Sequence, residues 1–334
     1  MTSTRSEAQR PRGWFISRGF AAALAALAML LAGPAPAREP AQDYRPDTVA
    51  RADDGSWSVE RLGGGVYLFR WWPGFYVSPF LVGRDAVLAV DPISREVAAL
   101  YREAVARVTD KPISAVVYSH DHRDHIVGAD VLAPGARIYA HPGTRASLEF
   151  RGDPDVPLPT HLVDDGDVIR IAGAEVGVHY FGPNHGRSNI ALSFATGAGR
   201  LLAFVDTLEI GIVPYRTLPD THVHGYLASL RGAAALDVDW VLGGHSGPGP
   251  AYWIDNYLAY FEDMQAALRR SAGQIPEPPA ESVDDVIALG ERRTDAVIAA
   301  AVDALRPDYG HWRGFDAWAP MNAQAVWMAM IIGN

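Results

Sequence analysis

Four side chains able to bind a metal crowd into six residues, His120, His122, Asp124 and His125, shortly after the apolar run Ile113 to Val117. The run reads as a buried strand that ends in a ligand-bearing turn. His120 and His122 are two apart, so in extended chain they point the same way, whereas the adjacent Asp124 and His125 diverge. One short turn can therefore feed two neighbouring sites. Imidazole and carboxylate suit zinc, and two cations about 3.5 to 4 Å apart can clamp the attacking and leaving oxygens of a hydrolysis.

Further donors follow in order. His185 lies in Gly182-Pro183-Asn184-His185-Gly186, Asp206 ends the apolar strand Leu201 to Val205, and His245 follows Val241-Leu242-Gly243-Gly244. Each stands just after an apolar run, where a strand delivers a side chain to its rim. His-x-His-x-Asp-His followed by His, Asp and His resembles the metallo-β-lactamase superfamily of metal-dependent hydrolases, over about Trp57 to His245. That resemblance implies an α/β fold, the αββα sandwich, here with a C-terminal helical appendage. It assigns His120, His122 and His185 to one metal and Asp124, His125 and His245 to the other, with Asp206 bridging them. Asp91, at the end of Val87 to Val90, matches a strand-end aspartate that supports the ligands without joining them.

The same resemblance implies two divalent cations, zinc in the first instance, although manganese and iron also accept nitrogen and oxygen donors. Cations lower the pKa of a bound water from 15.7 toward about 7, so a metal-bound hydroxide can attack the carbonyl of an ester, lactone or thioester. Asp124 takes the catalytic role of orienting that nucleophile and managing its proton. The chain has no cysteine, whereas some true β-lactamases of the superfamily place one in the second metal site. Asp206 instead resembles the bridging aspartate of the hydroxyacylglutathione hydrolase and lactonase branches. A β-lactamase and an iron-containing redox protein of the same fold are the alternatives.

Composition narrows the partners. The 334 residues are 49% hydrophobic with a net charge of −10, which suits a globular chain with a sizeable core. Removing residues 1–37, which carry four Arg and one Glu, takes the charge to about −13. Nucleic acid is an unsuitable partner for such a surface, because phosphate binding needs a basic face; a small molecule is the expected substrate. Residues 1–37 have a basic start, the apolar run Phe20 to Ala32 and an Ala35-Pro36-Ala37 exit. That is the pattern of a secretory signal peptide cut after Ala37, its core short of the ~20 residues a membrane span needs. The expectation is a periplasmic or secreted protein with no membrane anchor after cleavage and an open oligomeric state.

The elements that position these residues are legible in outline. Residues 38–56 read as a linker, 57–250 as the metal-binding domain and 251–334 as a helical extension packed on it. Strands are expected at Val66 to Phe69, Tyr76 to Val82 and Ala86 to Val90, then at Val168 to Ile171, Glu175 to Phe181, Asn189 to Phe194 and Leu201 to Val205. Ser94 is placed to cap a helix from about Arg95 to Val108, and Ile126 to Leu132 to form a short one. Tyr252 to Arg270 has helical spacing, Ser282-x-x-Asp285 resembles a capping box for a helix to about Leu305, and the tail from Tyr309 to Met330 is aromatic and apolar.

Substrate contacts are sought near the ligands. Trp71-Trp72-Pro73-Gly74-Phe75 is an aromatic turn, so Trp72 and Phe75 either grip an apolar substrate portion or pack on the domain or a partner. Arg187 and Asn189 follow His185 closely and are candidates for an anionic or carbonyl group. Tyr215 and His222, on the stretch after Asp206, could reach a substrate oxygen. His222-x-His224 lacks a following Asp-His pair and opens a helix, so it is set aside as a metal site; His141 is read as structural.

Overall fold

A computed structural model describes residues 46–277, 279 and 282–333. The expected signal peptide and its cleavage point lie outside these residues. Strands β1 (Asp47–Arg51), β2 (Trp57–Gly63), β3 (Val66–Trp71), β4 (Tyr76–Val82), β5 (Val87–Val90), β6 (Ile113–Val117), β7 (Arg137–Ala140) and β8 (His161–Leu162) form one sheet in chain order. Its first five strands pair antiparallel and β5 to β8 pair parallel. A second sheet has the order β14 (Gly249–Pro250), β13 (Trp240–Leu242), β12 (Gly199–Ala203), β11 (Ala191–Thr196), β10 (Ala174–His179), β9 (Val168–Ile171). Strand β1 falls within the stretch expected as linker: Val49 and Ala50 pack on the first sheet's core, and that burial turns an otherwise polar segment into an edge strand.

Side-chain alternation explains the layering. Leu88, Val90, Ala115 and Val117 meet Val176, Leu192, Leu201 and Leu242 of the second sheet, while their neighbours Val87, Ala89 and Val116 face outward. Outward residues of the first sheet are covered by α1 (Arg95–Ala106) and by the short helices α2 (Arg123–Ile126) and α3 (Ala129–Leu132). Ser94 caps α1 as expected, its Oγ accepting from Val97 N at 3.3 Å. The single helix expected over Ile126 to Leu132 is instead broken at Gly128, whose φ is +98°; a Cβ there would lie 2.9 Å from the backbone of Ser94 and Arg95. Helix α4 (Pro142–Arg151) starts at His141, whose ring accepts from Gly143 N, the structural role expected of it.

Helices α5 (Val223–Ala234), α6 (Tyr252–Gln274), α7 (Val283–Tyr309) and α8 (Phe315–Ile332) cover the second sheet's outer face. They complete the αββα sandwich. Ser282 Oγ accepts from Asp285 N at 3.1 Å, the predicted start of α7. Tyr257, Tyr260, Phe261, Trp312 and Phe315 share a buried aromatic core with Phe204 and Tyr226, so residues after 250 form the fourth layer and the described residues make one compact unit. No helix among the described residues is long and apolar enough to cross a membrane.

Candidate metal centre

The carboxyl ends of β5, β6, β12 and β13 meet at one rim, where Asp91, His120, Asp206 and His245 follow in turn. His120, His122, His185 and Asp206 bring one donor atom each within 4.8 Å of one another, and Asp124, His125 and His245 do the same. Asp206 touches both groups. Its Oδ2 lies 3.4 Å from His185 Nε2 and 3.1 Å from His125 Nε2, and its Oδ1 lies 3.3 Å from His245 Nε2. His122 Nδ1 is 3.1 Å from His185 Nε2. All seven residues that the sequence marks as ligands therefore converge, with Asp206 between the two groups.

Several of these atoms lack the partners that burial demands. His120 Nε2, His125 Nε2 and Asp206 Oδ1 are buried without a hydrogen bond, although His125 and Asp206 stand close. Neighbouring groups fix which imidazole nitrogen is free. Asp91 accepts from Ser119 N at 2.8 Å and from Ser119 Oγ at 2.6 Å, and Ser119 Oγ lies 2.8 Å from His120 Nδ1. With its one proton given to Asp91, that hydroxyl can only accept from Nδ1, which leaves the Nε2 lone pair of His120 facing the centre. Asp220 Oδ2, 3.3 Å from His122 Nε2, leaves Nδ1 of that ring for the centre. Burial keeps His120 well below the ordinary imidazole range and pulls His185 down to about 4, so both present lone pairs. At His125 burial opposes the charge, but Asp206 outweighs it and lifts the ring to about 9. A convergence of imidazoles and carboxylates, three of whose buried polar atoms make no hydrogen bond, suits a divalent cation, which would displace the proton that Asp206 holds on His125.

The local sequence builds these positions. Asp91 and Asp206 both adopt left-handed backbone, at φ 37° and 58°, where the chain turns off a strand. Glu209, its carboxyl raised by burial, accepts from Gly244 N at 2.8 Å and His245 N at 3.0 Å, which holds the turn carrying His245. Gly244 must be glycine, since a Cβ would lie 2.4 Å from Asp206 Oδ1. Asp121, the one acid of the central motif outside both groups, pairs with Arg151 at 3.0 Å and braces the turn.

A cavity of about 730 Å³ opens over His122, Asp124, His185, Asp206 and His245. Its walls are Phe75, Tyr76, Val213, Pro214, Tyr215, Leu218 and Trp318, with Arg313 at one side. Phe75 and Tyr215 thus line the cavity, and the other four expected contacts do not. Trp72 points away, 45% exposed, with the Arg70 guanidinium 5.0 Å over its ring. Arg187 is exposed, and its carbonyl accepts from Tyr180 OH. Asn189 is buried and donates to Val205 O and Thr207 Oγ1, tying the His185 turn to the Asp206 strand. His222 caps α5 by accepting from Gly225 N.

Three residues near the centre went unmarked in the sequence. Tyr76 donates its hydroxyl to Asp124 Oδ2 at 2.9 Å and sets its ring edge-on to His245, 4.4 Å away. Burial and the Asp124 charge keep that phenol protonated, hence a donor. Only its place beside the aromatic turn hinted at this role. Asp220 was overshadowed by His222, and Glu209 follows Asp206 by three residues without any motif of its own.

Residues 85–205 match the family model described as the beta-lactamase superfamily domain. Over that stretch the chain is similar to the superfamily domain, and the molecule has the metallo-β-lactamase fold, with a His/Asp cluster compatible with metal binding. Among curated proteins it is 33% identical over 195 residues to the 2,4-dinitroanisole O-demethylase subunit alpha of Nocardioides sp. (strain JS1661), covering 57% of this chain and 58% of that one. It is 31% identical over 181 residues to the subunit beta from the same organism, covering 53% and 55%. The chain thus spans little more than half the length of either relative. Solved structures with this fold include a metallo-β-lactamase from Hirschia baltica, at TM-score 0.50 and 19% identity over 60% of this chain and 96% of that one. Another, from Pontibacter korlensis, aligns at TM-score 0.52 and 13% identity over 61% and 97%. At these identities the structural likeness is one of fold.

Proposed function

We propose that this chain is a hydrolase that uses two divalent cations to attack a carbonyl, in an ester, lactone or thioester whose remaining surface is apolar. The observation that carries the reading is Asp206, shared between two donor groups on the floor of an aromatic-walled cavity. Divalent cations held by His120, His122 and His185, and by Asp124, His125 and His245, would activate water and polarise the substrate oxygen. Asp206 sets the spacing of the two groups. Asp124, the most exposed donor, orients the water and receives its proton, while the Tyr76 hydroxyl fixes the carboxylate's direction. Asp91 with Ser119, and Asp220, hold the tautomers of His120 and His122. Phe75, Tyr215 and Trp318 exclude bulk water from the apolar part of the substrate.

A second reading takes its support from the relatives' names. An O-demethylase acts on a methyl ether, and an activated aryl methyl ether would suit the same aromatic wall. Water would then add at the ring carbon and methanol would leave, giving a phenol. The basic start and Ala-x-Ala exit of residues 1–37 support an exported enzyme, periplasmic or secreted, which amino-terminal sequencing of the mature protein would test by finding Arg38 first.

The deciding experiment is a panel of an ester, a lactone, a thioester, a β-lactam and 2,4-dinitroanisole, each with the zinc-loaded protein and its Asp124→Ala variant. Carbonyl hydrolysis lost in the variant supports the first reading. Phenol and methanol release from the ether alone would replace it with the second, and β-lactam turnover alone would replace both. Visible absorption by the protein as isolated would mark an iron centre.

A further inference from the structure

The wall of the cavity between Val213 and Asp220 is an irregular segment with an unusual backbone. Arg216, Leu218 and Asp220 stand at φ 47°, 53° and 57°, three side-chain-bearing residues in left-handed conformation within five positions. Such a conformation is strained for a residue with a Cβ and persists only where its surroundings impose it. At the start of the segment the holding group is distant in sequence. Asn322, on α8 and fully buried, donates through Nδ2 to Pro214 O at 3.0 Å and to Arg216 O at 2.6 Å. Its Oδ1 accepts from Tyr260 OH at 2.9 Å, which settles which way the amide faces. Tyr260 is itself buried in the helical layer.

We infer that Asn322 is a positioning residue: by clasping the carbonyls on either side of Tyr215, it fixes the substrate-facing wall from the C-terminal helix. Tyr215 is half exposed: its ring meets the edge of Trp318 at 5.1 Å and the Arg216 guanidinium at 5.5 Å, and its carbonyl accepts from Leu218 N at 3.1 Å, all contacts within or beside the segment that Asn322 clasps. The far end of the segment has its own anchor, because Gly186 N donates to Asp220 O at 2.9 Å. Loss of the clasp therefore frees Tyr215 and Leu218 without releasing the ligands. Selectivity for ring-sized substrates is set by a residue that touches neither substrate nor metal. The kinetic part of this inference rests on the hydrolase reading; the placement of the segment does not.

Two measurements on the full zinc-loaded chain test it. Trypsin cleavage after Arg216, mapped by mass spectrometry, reports the segment directly. In Asn322→Leu it is expected to accelerate at least tenfold, the scale of losing a hydrogen bond or two, and in Tyr260→Phe by an intermediate factor. In parallel, KM for ethyl 2-naphthoate is expected to rise about tenfold with kcat held within about twofold, while KM for ethyl acetate stays put. Should Asn322→Leu not fold, Tyr260→Phe decides. Unchanged cleavage in folded variants, or an equal loss on both esters, would overturn the inference. Faster cleavage with no ester hydrolysis by the wild type would uphold the positioning role and remove the hydrolase reading instead.

Discussion

Asp124 is the most accessible of the seven donors, its side chain 56% exposed where His120 and His125 are almost wholly covered. An exposed carboxylate contributes little to folding of the metal-free chain, so Asp124→Ala should lower kcat by about 10²–10⁴-fold while the melting temperature measured in chelator stays within about 2 °C; steady-state kinetics beside a thermal melt of the chelated proteins would show the separation. Tyr76→Phe removes one hydrogen bond to that carboxylate and should lower kcat by about tenfold, with metal content unchanged. Asp220 acts at one remove, through the His122 ring. Asp220→Ala should therefore weaken cation affinity by about 10–100-fold, read by competition with a chromogenic chelator.

At the scale of elements, the strand ends decide which residues meet, and there the sequence is eloquent. An apolar run followed at once by His, Asp or His marks a strand delivering a donor to the rim, and β6, β12 and β13 deliver theirs as read. Gly244 should tolerate no side chain: Gly244→Ala would push a methyl onto Asp206, so bound metal should fall below half of wild type while far-ultraviolet circular dichroism is retained. Legibility ends where contact depends on long-range packing. Tyr76 reaches Asp124 across 48 positions, and Asn322 reaches Pro214 across 108, with no periodicity to announce either meeting. Proximity in sequence misled in the other direction. Arg187 and Asn189 are neighbours of His185, but the turn sends one to solvent and the other inward, and His222 is consumed by a helix cap. A short apolar or polar window also cannot reveal that residues 47–51 will find an edge to pair with.

For the whole molecule, the two sheets and two helical layers hold a centre whose donor atoms converge in two groups, each within 4.8 Å. The buried Nε2 atoms of His120 and His125, neither in a hydrogen bond, sit beside the Asp206 carboxylate. A cation that binds only the folded chain adds about 2.7 kcal/mol at a hundredfold excess over Kd. Chelation should accordingly lower the melting temperature by roughly 5–10 °C, restored by adding zinc, as differential scanning calorimetry would record. The helices after residue 250 belong to the same account, since they supply both the fourth layer and Trp318 on the cavity wall.

The most direct test of a shared-aspartate, two-cation centre is metal stoichiometry by mass spectrometry after exhaustive dialysis, on the wild type and on Asp206→Ala. The arrangement predicts about two divalent ions per wild-type chain and fewer than one in the variant. One ion or none in the wild type, or two retained without Asp206, would contradict it.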